Sequence, residues 1–171
     1  MFEFKYADKK LIESLLPGLF KILHSNMSVI APTNNSFEKD FEIWSENVGP
    51  ALKKDARKIV LMYCEEKFAG YFQYYINAET NSLMMEEIQI KKEYQGNGLF
   101  KAFYKWLIKE LPIDIKNVEA YANKKNYKSQ SILKYLGLSE SGENKNGTSF
   151  YYKGDYKFLY NLFEDNSAQE L

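Results

Sequence analysis

The sequence predicts a mixed α/β fold (the α+β kind), a mixed sheet with helices on both of its faces. Three observations predict it. The apolar period switches between alternation and helical spacing several times along the chain. Residues 58–91 hold three consecutive strand-like runs separated by short polar turns, which reads as an antiparallel meander. Residues 83–122 then read strand, helix, strand, and a crossover of that kind pairs its two strands in parallel. A sheet with both pairings needs helices to cover it, which sets the layered architecture.

The elements follow in order. Phe2 to Tyr6 alternates and reads as a first strand. Asp8 is placed to cap a helix with Leu11, Leu15 and Leu16 on one face, and Pro17-Gly18 is expected to interrupt it. A second helical piece carries Leu19, Phe20 and Leu23. After the turn-rich residues 31–36, Phe37, Phe41, Trp44 and Val48 recur at helical spacing, with Asn35 or Ser36 as the cap. Strands are expected at Lys58–Cys64, Phe68–Asn77 and Leu83–Lys91, with turns at Glu65-Glu66-Lys67 and Ala78–Ser82. Leu99, Phe103, Trp106 and Leu107 form a helical stripe stopped by Leu111-Pro112. Val118–Ala122 is a short strand. Ser129–Leu136 is a short helix closed by Gly137. Leu138–Glu140 and Thr148–Lys153 form a hairpin around Asn146-Gly147. Tyr156–Phe163 packs back as a last helix, and residues 164–171 are expected to fray. The whole, residues 1–171, reads as one domain.

Composition narrows the function. Of the 171 residues, 45% are hydrophobic and 27% charged, enough for both a core and a solvated surface. Lys+Arg and Asp+Glu number 23 each, so the net charge of zero argues against nucleic acid as a partner held by overall charge. No apolar run is long enough to span a bilayer, and Met1–Tyr6 carries Glu3 and Lys5, unlike a signal peptide. Cys64 is the only cysteine, which rules out an intramolecular disulfide. These features together point to the cytoplasm, with no membrane partner. Cys64 lies in an apolar run and reads as a buried strand residue. With His24 the only histidine, a His-rich metal site is excluded, and no metal is expected.

The chemistry concentrates in Ile88 to Phe100, where a strand runs into Gln95-Gly96-Asn97-Gly98 and opens a helix. Glycines permit positive φ and remove Cβ atoms, so a ligand can approach the backbone. The helix start adds unpaired N–H groups and the positive end of its dipole, an arrangement that favours phosphate. Alone, such a turn is as consistent with a strand-to-helix connection that binds nothing. No Gly-Lys-Ser/Thr ending follows, so it is not a nucleotide-triphosphate loop, and the third glycine of a dinucleotide fingerprint is missing.

This stretch resembles the acetyl-CoA signature of the GNAT superfamily of N-acetyltransferases, Gln/Arg-x-x-Gly-x-Gly/Ala. Gln95 and Gly98 match it, Gly96 matches a common variant, and Phe100 departs from the final small residue. Downstream, Asn126-Tyr127-Lys128-Ser129 followed by Leu136-Gly137-Leu138 is similar to the family's Asn-x-x-Ser/Ala … Gly-Phe segment. The resemblance implies a GNAT-like, mostly antiparallel sheet of about seven strands. It implies acetyl-CoA as cosubstrate, held by Ile88, Gln89 and Ile90 along the strand, by Gln95, Gly96, Asn97, Gly98, Leu99 and Phe100 at the turn, and by Asn126 and Ser129 downstream. It also implies direct transfer of acetyl to a primary amine, on a small molecule, a peptide or a protein, without an acyl-enzyme, by a monomer or homodimer.

Such transfer needs a base, because an alkylamine titrates near ~10.4. Glu86 and Glu87 precede Ile88 and are the candidates. Alternation places Glu86 on the face of Ile88 and Ile90 and Glu87 on the opposite one, unless a bulge intervenes. Where the family often places a tyrosine acid for the leaving thiolate, this chain has Leu133, so Tyr135 is the nearby candidate. Phe100 and Leu133 leave a second reading open, a catalytically silent CoA-binding or sensing module.

Overall fold

The structure, a computed structural model, describes residues 1–54 and 57–164; the tail expected to fray lies outside them from residue 165 on. Its strands are β1 (Phe2–Tyr6), β2 (Arg57–Cys64), β3 (Lys67–Asn77), β4 (Ser82–Ile90), β5 (Asn117–Asn123), β6 (Ser139–Glu143) and β7 (Ser149–Asp155). They form one seven-stranded sheet in the order β1-β2-β3-β4-β5-β7-β6. The β4–β5 pair is parallel, as the crossover requires, while β1–β2, β2–β3, β5–β7 and β6–β7 are antiparallel. The helices are α1 (Ile12–Met27), α2 (Phe37–Leu52), α3 (Leu99–Glu110), α4 (Tyr127–Tyr135) and α5 (Tyr156–Phe163).

Two compact units divide the chain. One contains Met1–Tyr75 and Glu86–Gln95; the other contains Ile76–Met85 and the chain from Gly96 onward. In the first, α1 and α2 lie on one face of the strands. Ile12, Leu16, Leu19 and Ile22 of α1 and Leu52 of α2 are buried against Ile59, Leu61 and Tyr71. The pairings Leu61↔Tyr71, Ile59↔Gln73 and Arg57↔Tyr75 put all six of these strand residues on that face. In the second unit, Phe103, Tyr104, Leu107 and Ile108 of α3 are buried, and Tyr104 stacks on Phe163 of α5 at 5.0 Å.

Two expectations are corrected. Pro17-Gly18 does not interrupt the first helix: α1 runs unbroken through it. Pro17 forfeits one amide bond, but the buried residues before and after it, Ile12, Leu16, Leu19, Phe20 and Ile22, tie both halves to one core. Leu11 does not join the inward face. Asp8 caps a short 3-10 turn at Lys9–Leu11 that precedes α1, and this tighter winding leaves Leu11 at 55% exposure.

Candidate active site

The turn from β4 into α3 is built by left-handed glycines. Gly96 has φ +81° and Gly98 φ +83°, conformations that disfavour any side chain. Apart from the adjoining residues, nothing lies within 4 Å of where a Cβ would stand at either glycine, so that side of the turn is open. Gly98 is the N-cap of α3 and has no side chain of its own with which to cap it. Elsewhere Ser36, Asn126 and Asp155 each cap a helix with a side-chain oxygen. Leu99 is buried, and the ring of Phe100 packs along the helix against Tyr104 at 4.7 Å.

The side chain of Gln95 turns back to β4, its Nε2 donating to the Ile90 carbonyl at 2.8 Å. Asn26, near the end of α1, donates to the same carbonyl at 3.0 Å and to Oε1 of Gln89 at 2.9 Å. Beneath them β3 approaches closely. A Cβ on Gly70 would run into the Gln89 carbonyl and stand 3.0 Å from Cα of Ile90.

Glu86 and Glu87 lie on the same face, contrary to regular alternation. Tyr71 donates to Oε1 of Glu87 at 2.8 Å, and Nε2 of Gln73 donates to Oε2 of Glu86 at 2.7 Å. Tyr71 and Gln73 share the β3 face beneath α1, so both carboxylates point to it and the alternation of β4 breaks between them. The parallel ladder with β5 covers Ser82 to Met85 and stops one residue before this break. Gln89, bonded to Asn26 of α1, is on this face too. Alternation resumed from Glu87 therefore sends Ile88 and Ile90 to the opposite face, correcting the placement of Glu86 with them.

The environments of the two acids differ. Glu86 is gripped by Arg57, whose Nε lies 3.0 and 2.8 Å from the two carboxylate oxygens and whose Nη2 lies 2.7 Å from Oε1. The guanidinium also sits over the ring of Tyr75 at 5.4 Å. Glu87 meets no cation in this cluster. Burial pushes its pKa up to about 7, hydrogen bonds from Tyr71 and Gln89 pull the other way, and the Glu86 charge adds to the rise. Burial, with the neighbouring Glu87, holds the Tyr71 hydroxyl well above its ordinary range.

In the second unit Asn126 caps α4, its Oδ1 accepting from the Ser129 amide at 3.0 Å. Leu133 is buried, whereas Tyr135 is 58% exposed. Among the described residues no group of three His, Cys, Asp or Glu could hold a metal, and no helix is long and apolar enough to cross a membrane. Cys64 is half-buried at the end of β2.

Sequence reasoning did not find Arg57, Gln73, Tyr71 or Asn26. One signal was available. Arg57 is the only arginine in a chain with 23 Lys+Arg residues.

No protein-family model and no curated protein matches the chain. Solved structures do. An acetyltransferase from Thermus thermophilus matches with a TM-score of 0.70 at 15% identity, covering 91% of this chain and 97% of that one. PaiA N-acetyltransferase from Thermoplasma acidophilum, in complex with coenzyme A, matches with a TM-score of 0.65 at 14% identity, over 91% and 99%. Mutant forms of the spermidine/spermine N-acetyltransferase SpeG from Vibrio cholerae match with a TM-score of 0.60 at 14% identity, over 95% and 98%. The chain thus has the fold of the GNAT acetyltransferases.

Proposed function

We propose that this chain, with the fold its neighbours use for acetyl transfer, moves an acetyl group from acetyl-CoA to a primary amine. The observation that carries the reading is Glu87, a buried carboxyl bonded by Tyr71 that burial pushes up to about 7, three residues before the end of β4, the strand that leads into the left-handed glycine turn. The match to a coenzyme A complex supports the donor, and the spermidine/spermine acetyltransferase among the neighbours supports a small amine as acceptor.

The donor supplies an acetyl group activated as a thioester. The amides that begin with Gly98 and Leu99 would hold its phosphates at the positive end of α3, with Gly96, Asn97 and Phe100 around them and Asn126 and Ser129 flanking. Backbone groups of Ile88 and Ile90 would pair with its amide arm as an added strand does. Because the Ile90 carbonyl already accepts from Asn26 and Gln95, that pairing falls to Ile88 and the Ile90 N–H. Gln95 serves as a brace for the turn, and Gln89 as a brace for Glu87.

Glu87 acts as the base. An incoming ammonium gives it one proton; the freed nitrogen bonds the acetyl carbon as the carbon–sulfur bond breaks, and the second proton that the nitrogen must lose to become an amide goes to solvent. The thiolate then takes a proton from solvent or from Tyr135. Glu86, already held by Arg57 and Gln73, takes no part in the proton transfer. A base with pKa near 7 suits work at neutral pH.

The test is acetyl-CoA turnover with a panel of primary amines, read by thiol release, alongside calorimetry of CoA binding. Turnover with at least one amine is expected, falling as pH drops below about 7 while Glu87 takes up its proton. Gly98→Val should abolish CoA binding. Unchanged affinity in that variant, or no CoA binding by the native chain, sinks the reading. Leu133, buried where the resemblance implies a tyrosine acid, favours a second reading as a silent CoA-binding module. CoA binding without turnover across the panel would select it.

A further inference from the structure

Two adjacent carboxylates on one face of one strand are an electrostatic problem. Both are partly shielded from water, and like charges this close disfavour each other. The chain resolves it with its only arginine. Twenty-two of its 23 basic residues are lysines, yet at position 57 stands the one cation with a planar fork that fits a carboxylate through two nitrogens. Lysine at that site would present a point charge without the fork. The guanidinium itself sits over the ring of Tyr75, and Gln73 supplies a further hydrogen bond to Glu86 from the next strand. The pair is largely withdrawn from solvent, the side chains of Arg57 and Glu86 being 29% and 18% exposed.

We propose that Arg57 and Gln73 are positioning residues: they pin Glu86 to the face of β3 beneath α1 as a fixed negative charge, and so hold β4 in the broken alternation that turns Glu87 to Tyr71 as the carboxyl that exchanges a proton. The inference rests on the acetyl-transfer reading only for the use made of that proton. The geometry is independent of it. A regular strand would send one of the two acids to the opposite face, so a clamp on Glu86 also decides where Glu87 points. The titratable and charged groups facing Glu87 are Tyr71 from β3 and Glu86 from its own strand; Arg57 of β2 reaches it through Glu86. From α1 comes Asn26, which does not titrate and bonds Gln89.

The clamp can be read without any substrate. In the full chain labelled at the glutamate carboxyl carbons, NMR follows the titration of Glu87, assigned by its loss in Glu87→Gln. Glu86→Gln removes the like charge and should move the Glu87 midpoint down by about half a pH unit or more. Arg57→Ala leaves the Glu86 charge uncompensated and should move it up by a similar amount. Arg57→Lys keeps the charge without the fork and should fall between Arg57→Ala and the native chain. The acid limb of the pH–rate profile should move with the midpoint in each variant. A midpoint that stays in place in both Glu86→Gln and Arg57→Lys overturns the proposal, and those two variants keep the test decisive if Arg57→Ala does not fold. Shifted midpoints in a chain that acetylates no amine would leave the clamp standing and remove the acetyl-transfer reading instead.

Discussion

At the scale of single residues, Glu87 sets function against stability. A carboxyl whose pKa rises from 4.5 to about 7 on folding binds its proton more tightly in the folded chain. Its contribution is therefore full below about pH 4.5 and is lost as pH rises through 7. A shift of that size corresponds to about 3 kcal/mol. Glu87→Gln keeps the shape and cannot ionise, so it should be more stable than the native chain near pH 8 by roughly 1–3 kcal/mol, and nearly equal near pH 5. Thermal melts at the two pH values check this; a variant less stable at both would mean that the ionised carboxylate is well accommodated. The glycine turn was legible in the sequence because it belongs to one contiguous stretch, which also offered Glu86 and Glu87 together without separating them. The Arg57–Glu86 pair was not, since its partners lie 29 positions apart and the break in alternation is invisible to a count of two.

Elements read from sequence succeeded where local pattern and burial agree. All seven strands fall close to their expected places, because six carry apolar residues bounded by turn residues and the polar β6 is set by the Asn146-Gly147 hairpin turn that pairs it with β7. Pro17 shows the opposite case. Its local rule is correct, but the rule competes with five buried side chains on α1, and those belong to a core that no window of sequence contains. Close approach of strands is hidden in the same way. Gly70 matters because the backbone of Gln89 and Ile90 fills the space where its side chain would stand. Gly70→Ala should therefore cost about 1–3 kcal/mol, as overpacking does. It should also disturb the β4 segment that carries the Ile90 carbonyl. Denaturant melts give the first effect, and CoA affinity the second. A variant with native stability would show that β3 can slide away freely.

At the scale of the whole molecule, β4 is a single strand shared by two units, its first residues belonging to one and its last to the other. A chain with one strand divided in this way is expected to melt in a single cooperative transition. The chain carries its own optical reporters for this. Of its two tryptophans, Trp44 sits among Phe20 and Phe41 in the first unit, and Trp106 lies beside Phe103 in the second. Replacing either one by phenylalanine leaves a chain whose fluorescence reports on a single unit. The two variants, each measured against its own circular dichroism, should give superimposable transitions. Two separated midpoints would instead mean that the end of β4 carrying Glu87 can part company with the residues that begin it.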